Sequence, residues 1–491
     1  MKFIVDQQVE DIEMPENLKL NTFLQEFHSD CAHPECSFGF YGFAFGQSPF
    51  PVPKIMQEAL IKNSNKGEYA AVPGIPELRN AISKYNKHYF GMDVAPERIY
   101  VGPGTKELIF NLLEILHGTV ILPTPAWLGY LPQIRFLQKN YHMLSTRANK
   151  KISPNDLRKL ALRLQDRQKI LILNNPNNPT GLLYDQLELE EIADVCREQN
   201  IAVISDEIYA QTTFNFSKFV SMGKIYPEGT FVTNGLSKSH ASGGYRLGYV
   251  VFPQHAVDLK AQFKKILATE YTAVSTPIQH AAVAGFEISK EMDEYFEITR
   301  NIHHMMGEYT HDALLKIDGV KATKPDATFY LLADFNAFAT DLQKAKISTS
   351  QKLSESLMVH PYHTAIVGGD SLVLERTDFS ARIAYVDYDG AKVYDAYQQQ
   401  APKTHSERIE FVQNNCELLD NFQIGETVRI GINIRGREWV NPEGETKFFN
   451  SIQGWRMESI DEQVSDDLPE DLPAIDSKDE SQDLTEDDLP F

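Results

Sequence analysis

The chain has 491 residues, 42% of them hydrophobic and 23% charged, enough to bury a large core and long enough for about two to four domains. Its net charge of −21 is uneven: residues 461–491 hold 13 acidic residues and one lysine, a net of −12, which leaves −9 on the other 460 residues. That balance argues against free duplex nucleic acid as a partner of the main body, and four scattered cysteines argue against a disulfide framework.

In chain order, Phe3-Ile-Val5 is too short an apolar stretch for a secretory segment, and no run of about 18 uncharged apolar residues follows, so a cytoplasmic protein is expected. Cys31, His33 and Cys36 bring three metal-ligand types together, but no second cluster supplies a fourth ligand, and no metal is expected. The aromatic run Phe38-Gly-Phe-Tyr-Gly-Phe-Ala-Phe45 suits either an apolar side-chain pocket or packing at a domain junction.

From Arg98 onward short apolar runs alternate with helical spacers. Arg98-Ile-Tyr-Val101 leads through Gly102-Pro-Gly-Thr-Lys106 into a mostly buried helix from Glu107 to Leu116: strand, glycine turn, helix. Val120–Leu122, Ile170–Leu173, Ile201–Ile204, Phe231–Thr233 and Tyr249–Phe252 repeat the strand pattern, with Asp185–Gln199 as a helical spacer. Unbroken apolar strands with helical spacers predict an α/β fold whose largely parallel sheet is covered on both faces, with ligands beyond the carboxyl ends of its strands.

Polar groups cluster at those ends. Asn174-Asn-Pro-Asn-Asn-Pro-Thr-Gly181 follows one strand, Ser205-Asp-Glu-Ile-Tyr209 the next, and Lys238 and Arg246 lie in the run Asn234–Tyr249. Each motif alone has a bland reading: Asp206 as a helix cap, Lys238 as a solvated amine, Trp127 as core, the Asn-Pro run as a turn. Their joint order is what counts, with 28 residues from Asn178 to Asp206, 32 on to Lys238 and 8 more to Arg246.

Those residue types are the parts needed to hold pyridoxal phosphate and use it as an electron sink. Asp206 is suited to pair with the pyridine nitrogen and keep it protonated; Tyr209 and Asn178 are suited to hydrogen-bond the phenolic oxygen. Lys238 supplies the amine for an internal aldimine and, once displaced, a base within reach of the substrate Cα. Gly104, Thr105 and Lys106 open a helix toward the phosphate, Arg246 adds a guanidinium fork, and Trp127 is suited to stack on the ring. The glycine spacing in Gly102–Lys106 does not fit a nucleotide P-loop.

From about residue 40 to about residue 400 these landmarks resemble the class I/II aminotransferases of pyridoxal-phosphate fold type I. Gly46-Gln-Ser-Pro-Phe-Pro-Val-Pro53 is similar to the family's N-terminal glycine loop and Gly67–Arg79 to its tyrosine segment. The resemblance implies a seven-stranded-type sheet in a large domain (51–285), an N-terminal arm (1–50) and a smaller α+β domain (286–417). It also implies a homodimer in which Tyr69 reaches the partner's cofactor phosphate. Arg382, in Phe379-Ser-Ala-Arg-Ile-Ala-Tyr385, would clamp the substrate α-carboxylate with Gly46 and Asn178 beside it. The implied reaction moves an amino group between an L-amino acid and a 2-oxo acid such as 2-oxoglutarate; a lyase or decarboxylase on the same cofactor residues is the alternative. One landmark departs: Gly235 stands where the family commonly has a phosphate-binding serine, leaving Ser237 and Ser239 to compensate.

The end of the chain reads differently. Ser406–Leu419 suits a last helix of the small domain. Residues 418–459 alternate as a β-hairpin or meander and resemble part of a bacterial OB-fold-like domain; Arg435, Arg437, Trp439, Phe448, Phe449 and Trp455 fit either a small core or single-stranded nucleic acid. Residues 460–491 are expected to be disordered, and Glu486-Asp-Asp-Leu-Pro-Phe491 resembles the acidic tip through which single-stranded-DNA-binding proteins recruit protein partners.

Overall fold

The computed structural model describes residues 3–5, 9, 19, 41–146, 150–358 and 362–415, together with the backbone of two strands at 428–440 and 446–459. The expectations for Cys31, His33, Cys36, the hairpin turn and the acidic tail lie outside the described residues. The chain divides into two compact units, Met1–Asp420 and Asn421–Phe491.

The strands of the first unit are β1 (Tyr41–Gly42), β2 (Ile99–Gly102), β3 (Thr119–Thr124), β4 (Tyr141–Ser145), β5 (Lys169–Asn174), β6 (Ile201–Asp206), β7 (Thr230–Gly235), β8 (Gly248–Val251), β9 (Lys321–Ala322), β10 (Tyr330–Asp334), β11 (Thr364–Ala365), β12 (Val367–Gly368) and β13 (Ser380–Ala384). The large sheet runs β2-β8-β7-β6-β5-β3-β4. Its alternate side chains enter two cores. Val120, Leu122, Ile170 and Ile172 pack with Leu108, Leu112 and Phe263 on one face, while Ile121, Leu171 and Leu173 pack with Leu189, Ile192 and Cys196 on the other. Period-two alternation with both faces apolar explains why these strands read as unbroken hydrophobic runs.

One strand departs from the parallel expectation. β8 is antiparallel to both β7 and β2. Only residues 236–247 join β7 to β8, about the shortest span a parallel crossover tolerates, and they form turns rather than a crossover helix. The chain reverses instead, and Lys238 sits in that reversal. Edge strand β4, in which only Leu144 is buried while His142, Met143 and Ser145 are exposed, presents no apolar run in the sequence.

The helices obey local rules. Gln186–Glu198 begins with a capping box in which Asp185 and Glu188 satisfy each other's backbone N–H groups. Gly104 precedes Thr105–Ile115 with φ of 97°, a conformation that favours glycine. A second sheet, β12-β13-β10-β9, is antiparallel and pairs Leu332 of β10 with Arg382 of β13. It packs with the long helix Lys290–Leu315 and with Phe411 and Val412 of helix His405–Asn415. Among the described residues of the second unit, β14 (Val428–Val440) pairs antiparallel with β15 (Thr446–Ser459), with a β-bulge between Gly431 and Ile432.

Candidate active site

Asp206 is the last residue of β6, and Asn174 the last of β5 beside it. Asn174 Nδ2 donates to the Asp206 carbonyl at 2.9 Å, and its Oδ1 accepts the Asn178 N–H at 2.7 Å, so one side chain ties the two strand ends to the Asn-Pro loop. The Asp206 carboxylate is buried and accepts from the Tyr130 hydroxyl at 2.7 Å and from the Ile208 N–H at 3.3 Å. Burial pushes its pKa up to about 6 even though these donors and the Lys238 charge pull it down. Trp127, half-buried, stands edge-on to Tyr130 at 5.0 Å with the Lys106 ammonium 6.0 Å from its ring centre.

Lys238 Nζ donates to the Gly46 carbonyl at 2.6 Å and lies 5.8 Å from the Tyr209 ring centre. Before it, β7 ends at Gly235, paired with Gly248 of β8. A Cβ at Gly235 would meet the Leu247 carbonyl at 2.7 Å, and one at Gly248 would meet the Thr105 nitrogen at 2.8 Å. Gly235 therefore lets β7 run close to the start of β8, and Gly248 lets β8 pass against the start of helix Thr105–Ile115. Arg246, exposed and with φ of 49°, donates to the Pro103 carbonyl at 3.1 Å, and its Nη2 would lie 2.6 Å from a Cβ at Gly104. Ser239 is engaged elsewhere, 2.9 Å from Nδ1 of buried His240; Ser237 is half-buried in the same turn.

The small sheet supplies the opposite wall. Arg382 is 2% exposed; it donates to Asn178 Oδ1 at 3.3 Å and to the Ala44 carbonyl at 2.5 Å, and its Nε has no partner. Among the described residues no carboxylate pairs with it. Its guanidinium lies 4.6 Å from the ring centre of Tyr330, whose hydroxyl is 3.0 Å from that of Tyr209.

Residues 37–386 match the family described as aminotransferase class I and II, most of the chain. The chain belongs to the class I and II aminotransferases. It is 33% identical over 331 residues, 65% of its length and 80% of the relative's, to a probable aspartate/prephenate aminotransferase of Aquifex aeolicus. It is 31% identical over 313 residues, 59% of its length and 74% of the relative's, to an aspartate aminotransferase of Geobacillus stearothermophilus. The aspartate aminotransferase of Thermus thermophilus solved with maleate has the same fold, with a TM-score of 0.68 at 23% identity over 84% of this chain and 98% of that one. Residues 396–458 match a domain of unknown function, DUF3127. That match begins inside the aminotransferase unit, since it includes helix His405–Asn415. It lends no support to the nucleic-acid or protein partner expected from the tail.

This aminotransferase is pyridoxal-phosphate dependent, and its residues fit the cofactor. Among the described residues the buried Asp206 carboxylate is hydrogen-bonded only by neutral donors, as expected of a group that takes a protonated ring nitrogen. The helix N-terminus at Thr105 and the Arg246 guanidinium beside Gly104 are donors of the kind a phosphate group needs. The unpartnered Arg382 Nε is a donor left for a carboxylate.

The enzyme also holds residues that the sequence reading did not assign: Asn174, Tyr130, Tyr330 and Glu207. Tyr130 lies in the segment read for Trp127, but its distance from Asp206 depends on the sheet order β6-β5-β3, which sets the chain after β3 near the end of β6. Glu207 is buried; its Oε1 accepts from Ser205, Ser221 and the Met222 N–H, and burial pushes its pKa up to about 7. Tyr69 is the one expected site residue left apart from the cluster in a single chain, 92% exposed. Among the described residues no helix is long and apolar enough to cross a membrane, and no cluster of three metal-ligating side chains occurs.

Proposed function

We propose that the protein transfers the amino group of an L-amino acid of the aspartate type to a 2-oxo acid, with 2-oxoglutarate as the acceptor, in the cytoplasm and as a homodimer. The names of the relatives support the donor class. The single observation that carries the reading is Arg382, a buried guanidinium with a free donor and, among the described residues, no counter-ion, linked to Lys238 through the Tyr330 ring and the Gly46 carbonyl. Burying a cation unpaired is costly unless a ligand anion completes it.

Pyridoxal phosphate, when bound, supplies the sink for the electron pair left by the broken substrate Cα–H bond. Lys238 Nζ holds the cofactor in the resting enzyme and, once released, takes the proton from the substrate Cα. Asp206 keeps the ring nitrogen protonated, and Tyr209 with Asn178 donates to the phenolic oxygen. Gly104, Thr105, Lys106, Ser237 and Arg246 would bind the phosphate, and Trp127 would stack on the ring. Arg382, with Gly46 and Asn178 beside it, orients the substrate α-carboxylate so that Cα stands near Lys238. The high exposure of Tyr69 supports its assignment to the partner's phosphate. No observation favours the lyase or decarboxylase alternative.

The test is a panel of amino donors offered with 2-oxoglutarate to the full-length protein, read as glutamate formed. Turnover with aspartate that disappears in Lys238→Ala is expected. Turnover with no donor, or elimination of ammonia in its place, overturns the reading.

A further inference from the structure

Tyr330 begins β10 in the small sheet, is 1% exposed, and touches three groups of the site at once. Its hydroxyl lies 3.0 Å from the Tyr209 hydroxyl and donates to the Gly46 carbonyl at 3.3 Å. That same carbonyl accepts Lys238 Nζ at 2.6 Å. Its ring carries the Arg382 guanidinium at 4.6 Å. The fit is close: a Cβ at Gly46 would come within 1.8 Å of the Tyr330 oxygen, so the glycine is required for this hydroxyl to reach its partners.

A phenol has one proton to give. When Tyr209 gives its proton to a ligand oxygen, it can meet Tyr330 only as an acceptor, and Tyr330 must turn its own proton from Gly46 toward Tyr209. The Gly46 carbonyl is then left to Lys238. A bond donated to the Tyr209 oxygen polarises its O–H and strengthens the bond that Tyr209 makes in turn. The ring of Tyr330, meanwhile, fixes where the Arg382 fork stands.

We propose that Tyr330 is a positioning residue that joins carboxylate capture to cofactor tuning, its hydroxyl strengthening the hydrogen bond given by Tyr209 and its ring seating Arg382. The proposal rests on the assignments of Tyr209 and Arg382 above. A weaker bond to the phenolic oxygen leaves more electron density to hold the neighbouring proton of the Lys238 linkage.

The experiment is a spectrophotometric pH titration of the Lys238-linked cofactor band in the holoenzyme, for wild type, Tyr330→Phe and Tyr209→Phe. Tyr330→Phe, which removes one hydroxyl and keeps the ring, should raise the midpoint by about half a pH unit, and Tyr209→Phe should raise it further. An unchanged midpoint in Tyr330→Phe alongside a raised one in Tyr209→Phe overturns the proposal and leaves the role of Tyr209 standing. Unchanged midpoints in both overturn the Tyr209 assignment as well. Tyr330→Leu removes the ring too, and its Kd for maleate should rise roughly fivefold over that of Tyr330→Phe. Equal maleate affinities in the two variants overturn the seating of Arg382, and a Tyr330→Leu that does not fold leaves the titration arm to decide.

Discussion

The Tyr130 hydroxyl donates a 2.7 Å hydrogen bond to Oδ2 of Asp206, and both groups are buried. In water that bond would be replaced at no great loss, but here the carboxylate has left solvent and each donor decides how readily it ionises.

Tyr130→Phe should therefore shift the ionisation of Asp206 upward from about 6. Cofactor association with the apoenzyme needs the carboxylate form, so it should strengthen as pH rises through that value in wild type. In the variant the rise should fall about one unit higher, for the loss of one charge-assisted bond. The cofactor's own phosphate titrates alike in both, so the difference between the two profiles isolates Asp206. Superimposable profiles would refute this coupling.

Burial raises the folded-state pKa of Asp206 to about 6 and of Glu207 to about 7, above the ordinary values of 3.8 and 4.5 for such carboxyls. The folded apoenzyme thus binds more protons than the unfolded chain across this window. The stability they contribute is fully present below about pH 4 and is lost as pH rises through about 7. Asp206→Asn replaces the buried anion by a neutral amide, so at pH 8 the apo variant should be more stable than apo wild type by about 2 kcal/mol, while turnover falls by several orders of magnitude. Urea unfolding at pH 5 and pH 8 measures it. An apo variant less stable at pH 8 would contradict the assigned cost of that carboxylate.

Gly235→Ser would place the family's common serine in this chain, yet its Cβ would meet backbone at 2.7 Å and 2.8 Å. Neither the Leu247 carbonyl nor the Gly248 Cα can swing aside. The substitution should cost about 1–3 kcal/mol and loosen the cofactor rather than tighten it. Thermal unfolding and cofactor Kd check this, and a variant with unchanged Tm and tighter binding would show that the β7–β8 crossing is not the constraint.

Much of this site was legible because its residues end strands. Asn178, Asp206 and Lys238 follow apolar runs whose length and β-branched content mark them as buried strands, and parallel strands aim their carboxyl ends at one edge. Tyr330 was not legible: it meets Tyr209 from 121 residues away, across two sheets, and no local pattern encodes that pairing. The reversal at β8 was readable in principle from the short β7–β8 connection, but the apolar run of Tyr249–Phe252 looks the same in either direction. The fit of Gly235 follows from the backbone of β8 and not from the residue itself.

Truncation after Asp420 should leave transamination per active site nearly unchanged, because the assigned groups lie between Gly46 and Arg382 and the first unit ends there. Ending the chain at Pro402 instead removes Phe411 and Val412 from the core and should destabilise the enzyme by several kcal/mol, about 1.5–3 for each large side chain lost. Equal melting temperatures for the two truncations would show that helix His405–Asn415 adds nothing to the small domain.

The most direct measurement of the central claim is borohydride reduction of the cofactor-loaded protein followed by peptide mapping. The label should be found on Lys238, the amine held between Gly46 and Tyr209, and Lys238→Ala should bind cofactor without retaining it after reduction. Label on any other lysine, or none, would contradict the account.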